Sequence, residues 1–484
     1  MFKPQGPPIG YRCRSLEANC APWLLAVYTL SVFVSGLWSI HRYHNFSSGW
    51  SWDLAHVNQS FWCWTQGVPK LTVRPLNHYA REGPEPWRSV HLAPLRLVML
   101  PAYWLWPRVE TLLVGHVSIF WLSIFPIARL VDGPGRLRWM AACLWVLTPI
   151  NQVMAINDCR PLQLGVPFLL WSIVGFTERR PAMFLVTAIA ALCARQEYGL
   201  AIALLSILPM RTGCNVRTGL LWRLATALLG LGWFASYFGY LYFLFGPESV
   251  ARYFRVPASF ARSSISDSLL GGFEAILSLA VLTGGWSLLC LRTPRYLIAS
   301  LPIIAMVVQR NLTRIIPGDE EWHMIRYLAI SVVFWAAGGA REMGRFGDWS
   351  RHLTRSLLAG TVLWVVPTVG VVWRLDQIGS KLDAAERATL RGVIKSIPPE
   401  AVVLADLPFT AMLSGRAALF TYTDSLSMRE YDDLGEEQDQ WIVAGRDFTK
   451  AETPIGQILR KMGFEEMYQG AGTAVLYRSA HRHE

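Results

Sequence analysis

Apolar stretches of about 15–22 residues recur from residue 22 to about Trp373 and then stop. A chain that repeats segments of this length has few options other than a bundle of membrane-crossing helices. The pattern places spans at 22–40, 109–131, 138–152, 162–176, 182–194, 198–210, 219–245, 269–291, 296–309, 325–340 and 356–373, about eleven in all. Several are shorter than the ~20 residues that cross a bilayer comfortably. Segment 92–106 is also apolar, but Pro94 and Pro107 flank it and Arg96 and Pro101 interrupt it. It is expected to lie in the interface as a re-entrant or surface helix. Composition agrees: 16% of the 484 residues are charged and 52% are hydrophobic, against roughly 25% charged in an ordinary globular chain. This excludes a disordered chain and argues against a soluble enzyme. The 22 Trp, 22 Phe and 16 Tyr suit membrane–water interfaces.

Charge divides the chain and orients it. The net charge is +11, yet residues from Asp376 onward carry 12 basic against 17 acidic groups. The expected organisation is a cytoplasmic segment 1–21, a membrane domain 22–375 with a large outer first loop 41–108, and an extracytoplasmic domain 376–484. With Lys3, Arg12 and Arg14 inside, alternate loops hold Arg129/Arg136/Arg138, Arg179/Arg180, Arg211/Arg217/Arg223, Arg292/Arg295 and Arg341/Arg345/Arg351/Arg355. Every inner loop is then basic, as the positive-inside rule requires, and an odd span count sends the C-terminal region outside. If 92–106 crossed as well, every later loop would flip. Ile40-His41-Arg42-Tyr43-His44 offers no small-residue cleavage site, so the first span is not a removed signal. The localisation expected is a multi-pass protein of the cytoplasmic (inner) membrane. Of eight cysteines only Cys63 and Cys159 fall outside, leaving at most one bridge, and zinc-ligand spacing is absent.

The inner connections are short and carry little besides Arg, so any chemistry belongs at the outer face. In Trp52–Trp64, apolar residues at 54, 57, 61 and 64 follow helical spacing. Asp53, His56 and Gln59 lie on another arc. Such a helix suits the outer leaflet, holding one carboxylate at headgroup height. Asp53 also fits a plainer role, stabilising the helix dipole. Asn157-Asp158-Cys159-Arg160-Pro161 and Arg195-Gln196-Glu197 sit between spans. There Asp158 with Arg160, and Arg195 with Glu197, read equally as local ion pairs. The outer arginines run against the positive-inside bias: Arg252, Arg255 and Arg262 in one loop, Arg310, Arg314 and Arg326 around another. Arginine recognises phosphate bidentately, and lipid headgroups would serve as well as a lipid carrier.

After Lys381 the pattern changes. A helix over Asp383–Ile397, strands at 401–405, 417–421, 441–444 and 474–477, and a helix over Thr453–Met462 predict a small α/β domain. The seven acids in Asp424–Asp439 read as a solvated loop rather than a metal site. No glycine-rich phosphate loop, G-x-S-x-G or H-E-x-x-H motif occurs.

Trp52-Asp53-Leu54-Ala55-His56-Val57-Asn58-Gln59, His91-Leu92-Ala93-Pro94-Leu95, Asp158-Cys159-Arg160-Pro161, Arg195-Gln196-Glu197-Tyr198-Gly199 and His323-Met324-Ile325-Arg326-Tyr327 together resemble a bacterial family of predicted polytopic membrane proteins of unknown function. That family is similar to the GT-C superfamily of lipid-dependent glycosyltransferases, in which an outer first loop carries an essential acid. Departures from its pattern are Asn58, Leu162 and Gln196, where acids are usual, and Arg160, where His is usual. The resemblance implies a GT-C-like bundle with a small C-terminal α/β domain. It implies transfer of a sugar from a polyprenyl-phosphate donor to a glycan, lipid or protein acceptor at the outer face, with inversion.

In that reading Asp53 is the general base, with a pKa raised by desolvation beside Trp52. Arg255, Arg310, Arg314 and Arg326 hold the lipid phosphate. His56, His91, Arg160, Arg195, His323 and Tyr327 bind donor or acceptor. Asp158 and Glu197 shape the sugar pocket or bind a divalent cation with Asp53. No other cofactor and no nucleic-acid partner is expected. Two further readings are a transporter or flippase for a lipid-linked or anionic solute, and a noncatalytic scaffold presenting the tail.

Overall fold

The structure, a computed structural model, describes residues 21–45, 52–67, 73–74, 93–156, 159–210, 216–247, 250, 285–311, 329–345, 384–405, 407–416, 419–421, 439–445, 460, 463–470 and 473–479. The expected span 356–373 and most of 269–291 lie outside these residues.

The first helix, α1 (Ala21–His44), shows how the sequence addresses its solvent. Its buried side is small or polar, with Ser31, Ser35, Gly36 and Ser39 facing the bundle. Its exposed side is Leu25, Leu30, Phe33, Val34 and Leu37. This inverts the pattern of a soluble helix. It is what lipid demands, because apolar tails reward exposed Leu while small residues let helices approach closely. Helix α12 (Val216–Phe245) likewise exposes Leu220, Leu224, Leu228 and Leu231. The helices α4 (Val109–Trp121) and α5 (Ile124–Leu130) run on into one another as a third candidate span.

A fourth is α6 (Gly135–Leu147) with α7 (Pro149–Ile156), bent by 62° at the break. Pro149 supplies the reason, since a proline cannot continue the preceding helix and pushes the residue before it to extended backbone; Thr148 has ψ 121°. Among the described residues, three helices are long and apolar enough to cross a membrane, or four with the bent pair. The other expected spans are more broken than their hydropathy implies. Span 162–176 divides into α8 (Pro161–Leu164) and α9 (Val166–Glu178). Spans 182–194 and 198–210 give α10 (Pro181–Leu192) and α11 (Glu197–Leu204). Helices α13 (Gly285–Cys290), α14 (Pro294–Asn311) and α15 (Ala329–Arg345) complete the described bundle. Segment 92–106 forms a 3-10 turn over Pro94–Met99 and the six-residue α3 (Leu100–Leu105), with Trp104, Leu105 and Trp106 exposed.

Four buried indoles join these pieces by donating to hydroxyls. Trp121 donates to Ser35 at 3.1 Å, Trp145 to Ser123 at 2.7 Å, Trp286 to Thr148 at 3.0 Å and Trp335 to Ser300 at 2.8 Å. At the opposite end from the first loop, Glu178 accepts two bonds from Arg129 at 3.1 Å and pairs with Arg180 at 3.0 Å. Arginines that the sequence presents as topology signals therefore also bind the ends of α5 and α9 together.

The tail contains α16 (Ala384–Ser396), α17 (Leu407–Leu413) and strands β2 (Val402–Ala405), β3 (Leu419–Thr421), β4 (Gln440–Gly445), β5 (Glu465–Gly470) and β6 (Thr473–Arg478). A sixth strand is not from the tail. β1 (Val73–Arg74), in the first outer loop, pairs parallel with β3, so the sheet order is β1-β3-β2-β4-β6-β5. Its core is built from Leu390, Val403, Phe409, Leu419, Val443 and Val475. Helix α17 and strand β5 were not foreseen from the sequence.

Candidate functional site

Helix α2 (Trp52–Thr65) carries Asp53 as its second residue and His56 one turn later. Spacings of three residues place both on one face. The apolar stripe Leu54, Val57 and Phe61 is 0–3% exposed and belongs to the bundle core. Here the structure corrects the expectation of a helix lying on the outer leaflet. Protein, not lipid, covers the stripe, and the polar residues Asn58 and Gln59 are buried as well. Asn58 donates from Nδ2 to Ser414 Oγ at 2.8 Å and accepts from the Tyr103 hydroxyl at 2.8 Å. Gln59 donates to the Arg416 carbonyl at 3.0 Å. Phe61 meets the Tyr103 ring edge-on, with centroids 5.6 Å apart, the arrangement that aromatic quadrupoles favour.

Beside α2 a narrow cleft opens between Ser60, Phe61 and Trp64 on one wall and Ala93, Pro94 and Arg96 on the other. The 3-10 turn forming that second wall is pinned from behind, because the Leu95 amide donates to the Cys193 carbonyl at 2.9 Å. Two residues past that carbonyl, Arg195 Nε pairs with Glu197 Oε2 at 2.9 Å, with side chains 11% and 1% exposed. Glu197 opens α11, where a carboxylate also faces the positive end of the helix dipole. The ion-pair reading of Arg195 and Glu197 is therefore what the geometry shows. Tyr198 follows, wholly buried, and its hydroxyl donates to the Leu162 carbonyl at 2.5 Å.

This bond ties the 195–198 turn to α8. Arg160 precedes the first residue of α8, half-buried and without a side-chain capping bond. Gly165 at its end accepts the Tyr198 ring so closely that a Cβ there would lie 2.4 Å from it. Arg160 thus begins the short helix to which Tyr198, the residue after Glu197, is bonded. His116 of α4, 1% exposed, lies beside Gln163 and Arg160. Arg42 near the end of α1 donates to the Ile156 carbonyl at 3.0 Å, fixing the end of α7 just before Asn157-Asp158. The sequence reading passed over His116, Gln163 and Arg42. A polar or ionisable residue inside an apolar span is itself a signal, and His116 and Gln163 carry it; Arg42 falls just past span 22–40, in the expected first outer loop.

Arg310 is the penultimate residue of α14. His91, Asp158, Arg255, Arg314, His323, Arg326 and Tyr327 lie outside the described residues, as does the acidic loop 424–438. Among the described residues no group of three His, Cys, Asp or Glu is arranged to hold a metal ion. Cys63 and Cys159 are both buried thiols, and no disulfide joins them. Burial pushes the Cys63 thiol up to about 11.

A family profile described as a predicted membrane protein, DUF2079, matches residues 24–462. No curated protein sequence matches the chain. Among solved structures, the chain is similar to apo ArnT from Cupriavidus metallidurans, with TM-score 0.54 at 12% identity over 96% of this chain and 98% of that one. It is similar also to the same protein bound to undecaprenyl phosphate, with TM-score 0.53 at 12% identity over 95% and 98%. At this identity the likeness concerns the fold, and it bears out the GT-C-like similarity expected from the sequence.

Proposed function

The chain belongs to the DUF2079 family of predicted membrane proteins, and we propose that it is a GT-C-like glycosyltransferase. It would move a sugar from a polyprenyl-phosphate donor to an acceptor glycan, lipid or protein at the outer face of the inner membrane. One observation carries this reading: nearly the whole chain follows the fold of a protein captured with undecaprenyl phosphate. The transporter and scaffold readings have no comparable support.

The chemistry assigned to Asp53 is general-base catalysis. Its carboxylate takes the proton of an acceptor hydroxyl as that oxygen attacks the anomeric carbon. The bond from that carbon to the phosphate oxygen breaks, and configuration inverts. Charge grows on the departing lipid phosphate, where Arg255, Arg310, Arg314 and Arg326 would stabilise it. His56, His91, His323, Tyr327 and Arg160 would orient donor and acceptor. Glu197 is already engaged by Arg195 at 2.9 Å, which favours shaping the sugar pocket over holding a cation. The basic inner loops support an N-terminus in the cytoplasm and a tail outside.

The test is a deletion strain complemented with the wild-type chain or with Asp53→Asn, read by mass spectrometry of membrane lipids and glycans. A polyprenyl-phosphate sugar should accumulate in the deletion and with Asp53→Asn, and clear with wild type. Clearance by Asp53→Asn as fast as by wild type would remove Asp53 from the mechanism. A deletion strain with unchanged lipids and glycans would remove the transferase.

A further inference from the structure

The helix that carries Asp53 is held from two directions by one asparagine, and the second holder is 356 residues away in sequence. Asn58 is 3% exposed, between Tyr103 at 1% and Ser414 at 0%. The bonds have a fixed sense. The Tyr103 hydroxyl donates to Asn58 Oδ1, Asn58 Nδ2 donates to Ser414 Oγ, and Ser414 spends its own proton on the Ala411 carbonyl at 2.6 Å. Each group in the relay is used once, so none can be reversed without stranding another buried polar atom.

A second tether runs parallel to the first. Gln59 donates to the Arg416 carbonyl. Arg416 is itself locked by bonds from Nε to Leu413 at 2.7 Å and from Nη1 to Pro398 at 3.1 Å. Ala411, from the tail, is counted within the bundle core. The tail thus reaches into the membrane domain at this helix, and β1 of the same loop completes its sheet.

We propose that the C-terminal domain is the positioning element for the proposed active site, with Asn58 as the positioning residue through which α17 sets the height and rotation of α2. This rests on the assignment of Asp53 as general base. Asp53 is five residues from Asn58 on one helix, about 7.5 Å along its axis, so a displacement at the tether moves the carboxylate with it. A base must sit within hydrogen-bond reach of the proton it takes, and a misplacement of about 1 Å can cost about 10²-fold in rate. On this view the tail is a brace that completes the outer site from behind.

The experiment uses the full chain in nanodiscs and two conservative variants that release opposite ends of the relay, Tyr103→Phe and Ser414→Ala. Hydrogen exchange of a peptide spanning 52–65 reports position. Clearance of the accumulated polyprenyl-phosphate sugar, at several donor levels, reports function. Both variants should raise exchange in 52–65 about tenfold and lower maximal turnover up to about 10²-fold, while the donor level for half-maximal rate stays fixed. The double variant should be no worse than the poorer single one, because the two ends act as a unit. Wild-type exchange in Ser414→Ala overturns the tether whatever the transfer assay shows. Raised exchange with wild-type turnover overturns the positioning role. Should Asp53→Asn retain transfer, the assignment of Asp53 fails separately, and the exchange result still decides whether the tail sets the helix.

Discussion

Replacing Glu197 by Gln keeps the shape of a buried side chain and removes its charge, so it isolates the ion pair with Arg195. The two groups lie 2.9 Å apart with side chains 1% and 11% exposed. Arg195 cannot shed its proton, so Glu197→Gln takes one close counter-charge from a buried guanidinium. Breaking a buried pair from one side costs about 3–5 kcal/mol. The Gln side chain keeps a neutral amide dipole beside the guanidinium, which places the loss near the lower end. Glu197 also stands in the first turn of α11, where the helix dipole adds about 0.3–1 kcal/mol to the loss. The expected penalty is therefore about 3–4 kcal/mol, or roughly 10²–10³-fold in the folding equilibrium. Reversible unfolding of the protein in mixed micelles, followed by tryptophan fluorescence, measures it.

The control is the double variant Arg195→Met/Glu197→Gln, which removes both charges and should regain most of the loss, since buried pairs replaced by apolar groups are often neutral. Glu197→Gln within about 0.5 kcal/mol of wild type, or a double variant whose cost is the sum of the singles, would show that the pair is not coupled. Either result would refute the argument. The double variant also separates roles. If it folds well yet fails to clear the donor lipid, the charges serve the substrate beyond stability.

Other consequences follow from single contacts. In Gly230→Ala the new Cβ would stand 2.4 Å from the Ala203 amide and the Gly199 carbonyl. Helices α11 and α12 must then separate, at about 1–3 kcal/mol in the same unfolding assay; unchanged stability would contradict that packing. Ser123→Ala leaves the Trp145 indole, fully buried, without its acceptor and should cost about 1–3 kcal/mol, with a shift in tryptophan emission as a second reading. Burial holds the Cys63 thiol at about 11, above its ordinary value, so iodoacetamide at pH 7.5 should spare it in the folded protein and modify it after unfolding. The neutral thiol is the form the fold accepts, so its contribution is full below the ordinary thiol pKa. That contribution is lost as pH rises through about 11. Rapid native alkylation would show that α2 is not packed as described. A periplasm-dependent reporter fused after Glu484 should be active and one fused at the N-terminus silent; the reverse pattern would invert the proposed orientation.

The parts legible in the sequence were those set by local pattern. Helix α1, the division of the chain at the tail, helix α16 and strands β2, β3, β4 and β6 all follow from periodicity that a short window contains. Hydropathy alone could not divide 138–152 into two helices, because Pro149 is not polar and acts on backbone geometry, where it redirects the chain. Strand β1 was illegible for another reason. Two residues have no period, and Val73–Arg74 becomes a strand only because Leu419 and Phe420 offer an edge. The site divided along the same line. Asp53 and Glu197 announced themselves as acids beside apolar runs, whereas Asn58 looked like the loss of an acid. Its meaning lies in Tyr103 and Ser414, residues that no local window contains.

That short strand also constrains the topology more than any hydropathy value. β1 belongs to the first loop and β3 to the tail, and hydrogen-bonded neighbours in one sheet lie on the same side of a membrane. The chain must therefore cross an even number of times between Arg74 and Leu419. Helix α1, 24 residues and apolar, precedes the loop and adds one crossing. With α1 crossing as proposed, the total would be odd and the N-terminus would lie opposite the sheet. An interfacial 92–106 keeps this parity in the eleven-span reading, whereas a crossing there would break it. Its 3-10 turn has six residues and α3 another six, together about 21 Å of helix against a hydrocarbon core of about 30 Å. The same segment supplies Tyr103 to Asn58 and Leu95 to Cys193, so the proposed interfacial placement would be the one in which it walls the cleft beside α2.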